Sequence, residues 1–167
     1  MDKKLKVAEF LTSVTLVAGL GSSRMDPRKT CTIGAINLAL TGLRRDDPLP
    51  CMSPSLTNFV IVLQDRMSNA ARNSAEWKAI IPLLLDTRNQ EDEIKKRINT
   101  FCSWLDLEGA SAPIDAFNPS ILIRQILGLE PLELRRPYTT TSSFGNLATT
   151  LFGELKYYSL TLTPKAQ

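Results

Sequence analysis

The sequence predicts a mainly α protein, a single helical domain of about six to seven helices packed around an apolar central helix. Apolar residues recur at helical spacing in one segment after another, and signals for strands are few. The chain has 167 residues, of which 43% are hydrophobic and 22% are charged, so it is long enough to bury a core. These numbers exclude collagen-like, low-complexity and wholly disordered proteins.

The predicted central helix covers residues 30–41 and is apolar on nearly all sides. A short helix without a polar face is usually buried in the middle of a domain. Gly42 follows as a natural stop, and Asn37 is the one large polar side chain of the helix. An amide buried without partners costs about 1–3 kcal/mol, so Asn37 is expected to bond a loop backbone, or alternatively a ligand.

Capping residues and one-sided apolar stripes predict the helices around the central one. The clearest opening is Ser53 followed by Pro54, because serine caps a helix and proline suits its first position. The first segment contains many β-branched residues, which leaves a pair of strands as its alternative. The surrounding helices are expected at residues 4–18, 53–67, 74–84, 90–107 and 118–128.

Composition divides the chain into three parts. Residues 1–129 are expected to form the helical core domain, and residues 130–141 a linker rich in proline and threonine. Residues 142–167 are expected to form a C-terminal amphipathic helix and a tail. Such an appended helix either closes the core or docks on a partner.

The chain contains no histidine, which excludes every mechanism that needs an imidazole base or an imidazole metal ligand. Its cysteines, Cys31, Cys51 and Cys102, have no zinc-site spacing, and no glycine-rich phosphate loop is present. No metal or other cofactor is therefore expected. We expect the thiols to be buried and reduced in a cytoplasmic protein, with a Cys31–Cys51 disulfide in an oxidising compartment as the alternative.

Charge and hydropathy restrict the partners. The net charge of +3, from 20 basic and 17 acidic residues, lacks the clustered excess typical of nonspecific nucleic-acid binding. Polar residues interrupt the apolar stretch at 5–20, so neither a signal peptide nor a membrane span is expected. The expected ligand is therefore a partner protein, with nucleic acid on a local basic patch as the alternative.

Several polar residues near the predicted turns are candidates for binding. Asp46 and Asp47 could hold a hard cation or act as an acid and base pair, although aspartates beside arginines in a loop are usually solvated. Arginines at neighbouring helix ends could converge on an anionic ligand or an acidic partner, although most such arginines are simply surface. The candidates for ligand or partner binding are Asn37, Arg44, Arg45, Asp46, Asp47, Gln64, Asp65, Arg66 and Arg72.

The middle of the chain contains a cysteine-led helix rich in alanine, then a loop of aspartate, proline and cysteine. Its distinctive positions are Cys31, residues 35–42, Asp46, Asp47, Pro48, Pro50, Cys51, Met52, Ser53, Gln64, Asp65, Met67, Arg72, Asn73, Ser74, Trp77 and Trp104. Over about residues 31–104 the chain thereby resembles a group of small hypothetical proteins from bacteria and their phages. The resemblance implies a prokaryotic or viral origin and no mechanism. Many members of that group carry histidine where this chain has Asp47, which favours a structural role for the loop here.

These observations favour a noncatalytic interaction protein, such as a phage or mobile-element accessory or inhibitor protein that docks on a host or partner protein. The first alternative is a nucleic-acid or phosphate-ligand binder that uses scattered arginines. The second is an enzyme dependent on Cys51 or on the Asp46 and Asp47 pair. Polar candidates that meet in a concave pocket would favour a ligand site, and their dispersal into caps and turns would favour scaffolding.

Overall fold

The computed structural model describes residues 1–19, 26–108 and 118–133, and this part of the chain is mainly helical, as predicted. The predicted C-terminal helix at 142–167 and all but the start of the predicted linker lie outside the described residues. The elements are α1 (Lys3–Leu11), β1 (Thr15–Leu16), β2 (Lys29–Thr30), α2 (Thr32–Thr41), α3 (Pro54–Arg66), α4 (Asn69–Arg72), α5 (Ala75–Ile80), α6 (Glu91–Glu108) and α7 (Pro119–Ile126), with 3₁₀ turns at Ile81–Leu84 and Arg88–Gln90.

The backbone contacts divide the chain into two units, Met1–Glu91 and Asp92–Gln167. The first unit contains α1 to α5 and both strands. The second contains α7 and nearly all of α6. Each unit has buried apolar side chains of its own, among them Ile33 and Trp77 in the first and Ile98 and Ile123 in the second.

The first predicted helix ends earlier than its apolar pattern indicates, because α1 stops at Leu11 and not at residue 18. The hydroxyl of Thr12 donates to the carbonyl of Glu9 at 2.7 Å, and the hydroxyl of Ser13 donates to that of Phe10 at 3.0 Å. Such local bonds compete with the continuation of a helix. The prediction of a helix to residue 18 was therefore wrong in its second half.

The residues after α1 instead form strand β1, which pairs in parallel with β2. The register places Thr15 opposite Lys29 and Leu16 opposite Thr30. The β-branched residues that left a strand pair as the alternative lie in and around this short ladder. The pairing also starts the central helix two residues later than predicted, since Thr30 belongs to β2.

Helix α2 is the predicted central helix, and it contacts both α1 and α3. Seven of its ten residues are buried, among them Ile33, Ile36 and Asn37. The Cys31 sulfur caps its start by accepting from the Gly34 N–H at 3.2 Å. Gly42 ends it with a φ of 75°, a conformation that glycine adopts without a steric penalty.

Serine caps begin the next helices as the sequence predicts. The hydroxyl of Ser53 accepts from the Leu56 N–H at 3.1 Å, and that of Ser74 accepts from the Trp77 N–H at 3.2 Å. After Ile80 the chain tightens into the 3₁₀ turn that contains Pro82, so the helix expected over residues 74–84 is α-helical only as far as Ile80. Between the helices expected at 53–67 and 74–84, the chain forms the single-turn helix α4, Asn69–Arg72.

In the second unit, Asn118 caps α7 through its side-chain oxygen, and Gly128 follows the helix with a φ of 76°. The Arg97 guanidinium on α6 donates to the Ile126 carbonyl at 3.2 Å. An added Cβ on Gly128 would come within about 2.9 Å of that guanidinium. The positive φ is what favours glycine here, since the Arg97 guanidinium is the far end of a flexible side chain and can move away from an added Cβ.

Candidate functional site

A chain of hydrogen bonds runs through the buried interior of the first unit, and Gln64 is its centre. The Trp77 indole Nε1 donates to the Thr32 hydroxyl at 3.0 Å, and that hydroxyl donates to Gln64 Oε1 at 3.3 Å. The Gln64 amide nitrogen donates to Asp65 Oδ1, which also accepts from the Gly19 N–H at 2.8 Å. Trp77, Thr32 and Gln64 are fully buried, so these bonds satisfy polar groups that water does not reach.

Arg72 extends this cluster with a charged side chain that is only 5% exposed. Its Nη1 donates to the Gln64 carbonyl and its Nη2 to Asn69 Oδ1, both at 2.6 Å. Its Nε is buried without a hydrogen-bond partner. Burial lowers the pKa of Arg72, and the charge of Asp65 acts in the opposite direction. Because both terminal nitrogens bind the protein itself, Arg72 acts here as a structural cation.

Asn37 makes the loop contact that the sequence predicts. Its Nδ2 donates to the carbonyl of Asp47 at 3.0 Å and to that of Ile33, in its own helix, at 3.2 Å. The side chain is 3% exposed. Asn37 therefore ties the backbone of the charged loop to the central helix.

The charged loop after α2 is mostly at the surface. Asp46, Asp47 and Arg45 are exposed, and Arg44 is half-buried. Arg44 Nη2 donates to the Asp26 carbonyl at 3.2 Å, while its Nε and Nη1 are buried without hydrogen-bond partners. No hydrogen bond or ion pair joins the side chains of Asp46 and Asp47 in this part of the structure. The acid and base pair stays a hypothesis.

The structure thus brings three of the predicted binding residues together, Gln64, Asp65 and Arg72, and gives them protein partners. Arg66, next to them in sequence, is half-buried at the end of α3. Most of the bonds of the predicted residues go to backbone groups, as expected for residues that fix loops and helix ends. The cluster is therefore an architectural one.

Three polar residues outside the set of predicted binding residues hold the first unit together. The Asn73 amide accepts from the Leu16 N–H at 2.8 Å and donates to the Leu16 carbonyl at 2.9 Å, in the manner of a neighbouring strand. Lys78 Nζ donates to the carbonyls of Leu11 and Val14 at 3.1 and 3.0 Å, just after α1 ends. Lysine near a helix C-terminus is a recognised signal, but Lys78 is 67 and 64 positions away from these two residues, so the sequence does not reveal the contact.

The third residue is Glu91, whose carboxylate binds the first turn of α3. It accepts from the hydroxyls of Ser53 and Ser55 and from the Ser55 N–H at 3.4 Å. Glu91 is also the first residue of its own helix, α6. The structure uses it as a cap on another helix, where a negative charge complements the helix dipole.

All three cysteines are free thiols, as the sequence favours. Cys31 and Cys102 are buried, and Cys51 is half-exposed. Burial raises the pKa of Cys31, and the negative charges of Asp46 and Asp65 raise it further. The hydrogen bond from the Gly34 N–H lowers this pKa, but its effect is smaller than that of burial. Burial also raises the pKa of Cys102, to about 11. Neither buried thiol has the exposed, electropositive surroundings of a reactive cysteine.

Thiol labelling is expected to modify one cysteine per chain quickly at about pH 8, and that cysteine is Cys51. At this pH only about one Cys102 side chain in a thousand is ionised, because its pKa is about 11. Stopped-flow labelling with Ellman's reagent gives the number of fast thiols, and Cys51→Ser is expected to abolish the fast phase. A fast phase that persists in Cys51→Ser would contradict this assignment.

An open groove lies between α1 and α5, and we refer to it as the α1–α5 groove. Its volume is about 240 Å³, and three of its lining side chains are alanines. Of the lining residues only Lys78 is charged, and its ammonium group already binds two carbonyls. The lining residues are Ala8, Leu11, Thr12, Ala75, Lys78, Ala79 and Pro82.

The chain was compared with protein-family models, with curated proteins and with solved structures. No family model, curated protein or solved structure matches it. In the described ranges, no three Cys, Asp or Glu side chains are grouped as ligands for a metal ion. Nor does any helix of those ranges combine the length and the hydropathy needed to cross a bilayer.

Proposed function

We propose that this chain is a noncatalytic protein-interaction module that binds a segment of a partner protein in the α1–α5 groove. In the light of the resemblance over residues 31–104, we propose the setting of a phage or mobile-element accessory or inhibitor protein in the cytoplasm. The observation that carries the proposal is the groove itself, an open concave surface with a mostly apolar lining. Apolar concave surfaces of this kind are where proteins receive side chains of a partner.

The chemistry of the groove favours a protein segment over a small polar ligand. Small-molecule sites generally occupy about 300–1,000 Å³ and contain a few convergent polar groups. This groove has about 240 Å³ and one charged lining residue, Lys78, whose ammonium group holds the end of α1. Apolar side chains from a partner would remove the exposed alanine surfaces from water without stranding a polar group.

The phosphate-binding alternative has less support from the same residues. It uses Arg72 as one of its cations, and the guanidinium of Arg72 is buried and bonded to the Gln64 carbonyl. A phosphate would have to displace that bond to reach the charge. Among Arg44, Arg45, Arg66 and Arg72, only Arg45 is exposed, so it is the arginine most accessible to an anion in solution.

An arginine in the groove is expected to abolish partner binding. Ala79 lies on the exposed wall of the groove, so Ala79→Arg fills it with a charged side chain while keeping a good helix former. The matched control is Ala70→Arg, since Ala70 is an exposed alanine of α4 outside the lining. The wild-type chain and both variants are immobilised and exposed to a lysate of the native cells. The protein that the wild-type chain retains is identified and purified. Its affinity is then measured for the wild-type chain, Ala79→Arg and Ala70→Arg.

We expect the identified partner to bind at least tenfold more weakly to Ala79→Arg and equally well to Ala70→Arg. Thermal unfolding of both variants checks that the fold is intact. Unchanged affinity of Ala79→Arg, or no stoichiometric partner for the wild-type chain, would overturn the proposal.

A further inference from the structure

We infer that the occupant of the α1–α5 groove is an amphipathic helix whose acidic end lies beside the lysines that begin α1. This inference rests on the proposed function and adds the conformation, the charge and the orientation of the partner segment. It draws on three features of the first unit: the groups that line the groove, the size of those groups and the charges along α1.

The lining favours a helical occupant over an extended one. An extended segment gains affinity by adding a strand to an exposed sheet edge, where backbone groups pair. The α1–α5 groove is instead formed by two helices and presents side chains. The carbonyl of Leu11, at the end of α1, already accepts from Lys78. A segment buried there must satisfy its own backbone hydrogen bonds, and a helix does so internally.

The size of the lining groups permits a helix to approach closely. Ala8 on α1 and Ala75 and Ala79 on α5 are exposed, and they form the walls of the groove. Small side chains on facing helices let ridges and grooves interlock at short interaxial distances. Leu5, one turn before Ala8 on the same side of α1, is 63% exposed and extends the apolar surface beyond the groove.

The charges along α1 give the occupant an orientation. Lys3, Lys4 and Lys6 lie in its first half, and Glu9, in its second half, is its one acidic residue. The N-terminus of a helix is the positive end of its dipole, and the three lysines outnumber the one carboxylate of the N-cap residue Asp2, so the potential at this end is positive. Lys4 precedes Ala8 by one turn on the same face, which places this charge at the end of the groove. Acidic side chains on the occupant complement it.

Two synthetic helical peptides of about 15 residues test this inference directly. They share one apolar stripe of leucine and alanine, and the first turn carries three glutamates in one peptide and three lysines in the other. Binding to the full chain is measured by fluorescence anisotropy at about 0.05 M and about 1 M salt. We expect the glutamate peptide to bind about three- to tenfold more tightly at low salt, a preference that fades at high salt.

Variants separate the charge from the groove. Lys3→Glu combined with Lys4→Glu is expected to reverse the preference, whereas Lys96→Glu, at an exposed lysine outside the lining, is expected to keep it. Ala79→Arg is expected to weaken both peptides. Equal affinities, a preference for the lysine peptide, or no binding of either peptide would overturn the inference. The proposed function fails on a different result, an identified native partner whose affinity does not respond to Ala79→Arg.

Discussion

Replacing Trp77 with alanine is expected to lower the free energy of unfolding by about 3–5 kcal/mol, because the change removes a fully buried indole from the first unit. The loss has two parts. The larger is the cavity and the lost apolar burial that follow truncation of a large core side chain. The smaller is the bond from the indole Nε1 to the Thr32 hydroxyl at 3.0 Å. Urea unfolding followed by far-ultraviolet circular dichroism measures the total.

Trp77→Phe separates the two parts, since it retains a large ring and removes the N–H donor. We expect a cost of about 1–2 kcal/mol, because the Thr32 hydroxyl still donates to Gln64 Oε1 but loses its own donor. Combining it with Thr32→Val in a double-mutant cycle gives the coupling of the pair. A cost below about 1 kcal/mol for Trp77→Ala would contradict the burial of this residue.

The helix openings could be predicted because their signals are local. Ser53 with Pro54, Ser74, and Asn118 with Pro119 each satisfy an N–H group two or three residues further on. A side chain and a backbone group so close in sequence interact in nearly any tertiary context. The apolar character of residues 30–41 indicated the buried helix for a similar reason, since a helix without a polar face has no stable exposed position.

The end of α1 could be predicted only in part, because a distant residue helps to determine it together with the local bonds of Thr12 and Ser13. The pattern of apolar residues continues past Leu11, and yet the chain turns at Thr12 and enters β1. That strand has only two residues, and its Leu16 is bonded on both backbone groups by Asn73, 57 residues later. A two-residue strand is stable only with contacts to residues far away in sequence. Local sequence patterns do not show whether such contacts form, because the chain between the two residues must first close into a loop.

The sequence allowed the residues of the candidate site to be named, but it did not allow most of their hydrogen bonds to be predicted. Asn37 is bonded to the loop backbone, as its burial in an apolar helix requires. Gln64, Asp65 and Arg72 could be named as polar residues at helix ends, but their roles follow from which carbonyls and amides meet in the interior. The α1–α5 groove gave no sequence signal, because alanines such as Ala8 and Ala79 fit a packed face and an exposed face equally well.

Replacing Arg72 with alanine is expected to cost about 3–5 kcal/mol of unfolding free energy, because the change removes a buried cation and two charge-assisted hydrogen bonds, each worth about 1.5–3 kcal/mol. The Gln64 carbonyl and Asn69 Oδ1 each lose a bond of 2.6 Å, and the charge of Asp65 loses its nearby opposite. Chemical denaturation measures the cost. Arg45→Ala is the control, since Arg45 is exposed and an exposed substitution generally changes stability by no more than about 0.5 kcal/mol.

Arg72→Lys distinguishes the geometry of the guanidinium from its charge. Lysine keeps the positive charge but is a compact donor, and it lacks the planar fork that serves two acceptors in different directions. We therefore expect Arg72→Lys to recover only part of the loss, leaving about 1.5–3 kcal/mol, the value of one hydrogen bond to a charged group. Full recovery with lysine would mean that the charge alone matters. A loss equal to that of alanine would mean that the two-acceptor geometry carries the whole effect, and that Arg72 stabilises the joint between α3 and α4 chiefly by its shape.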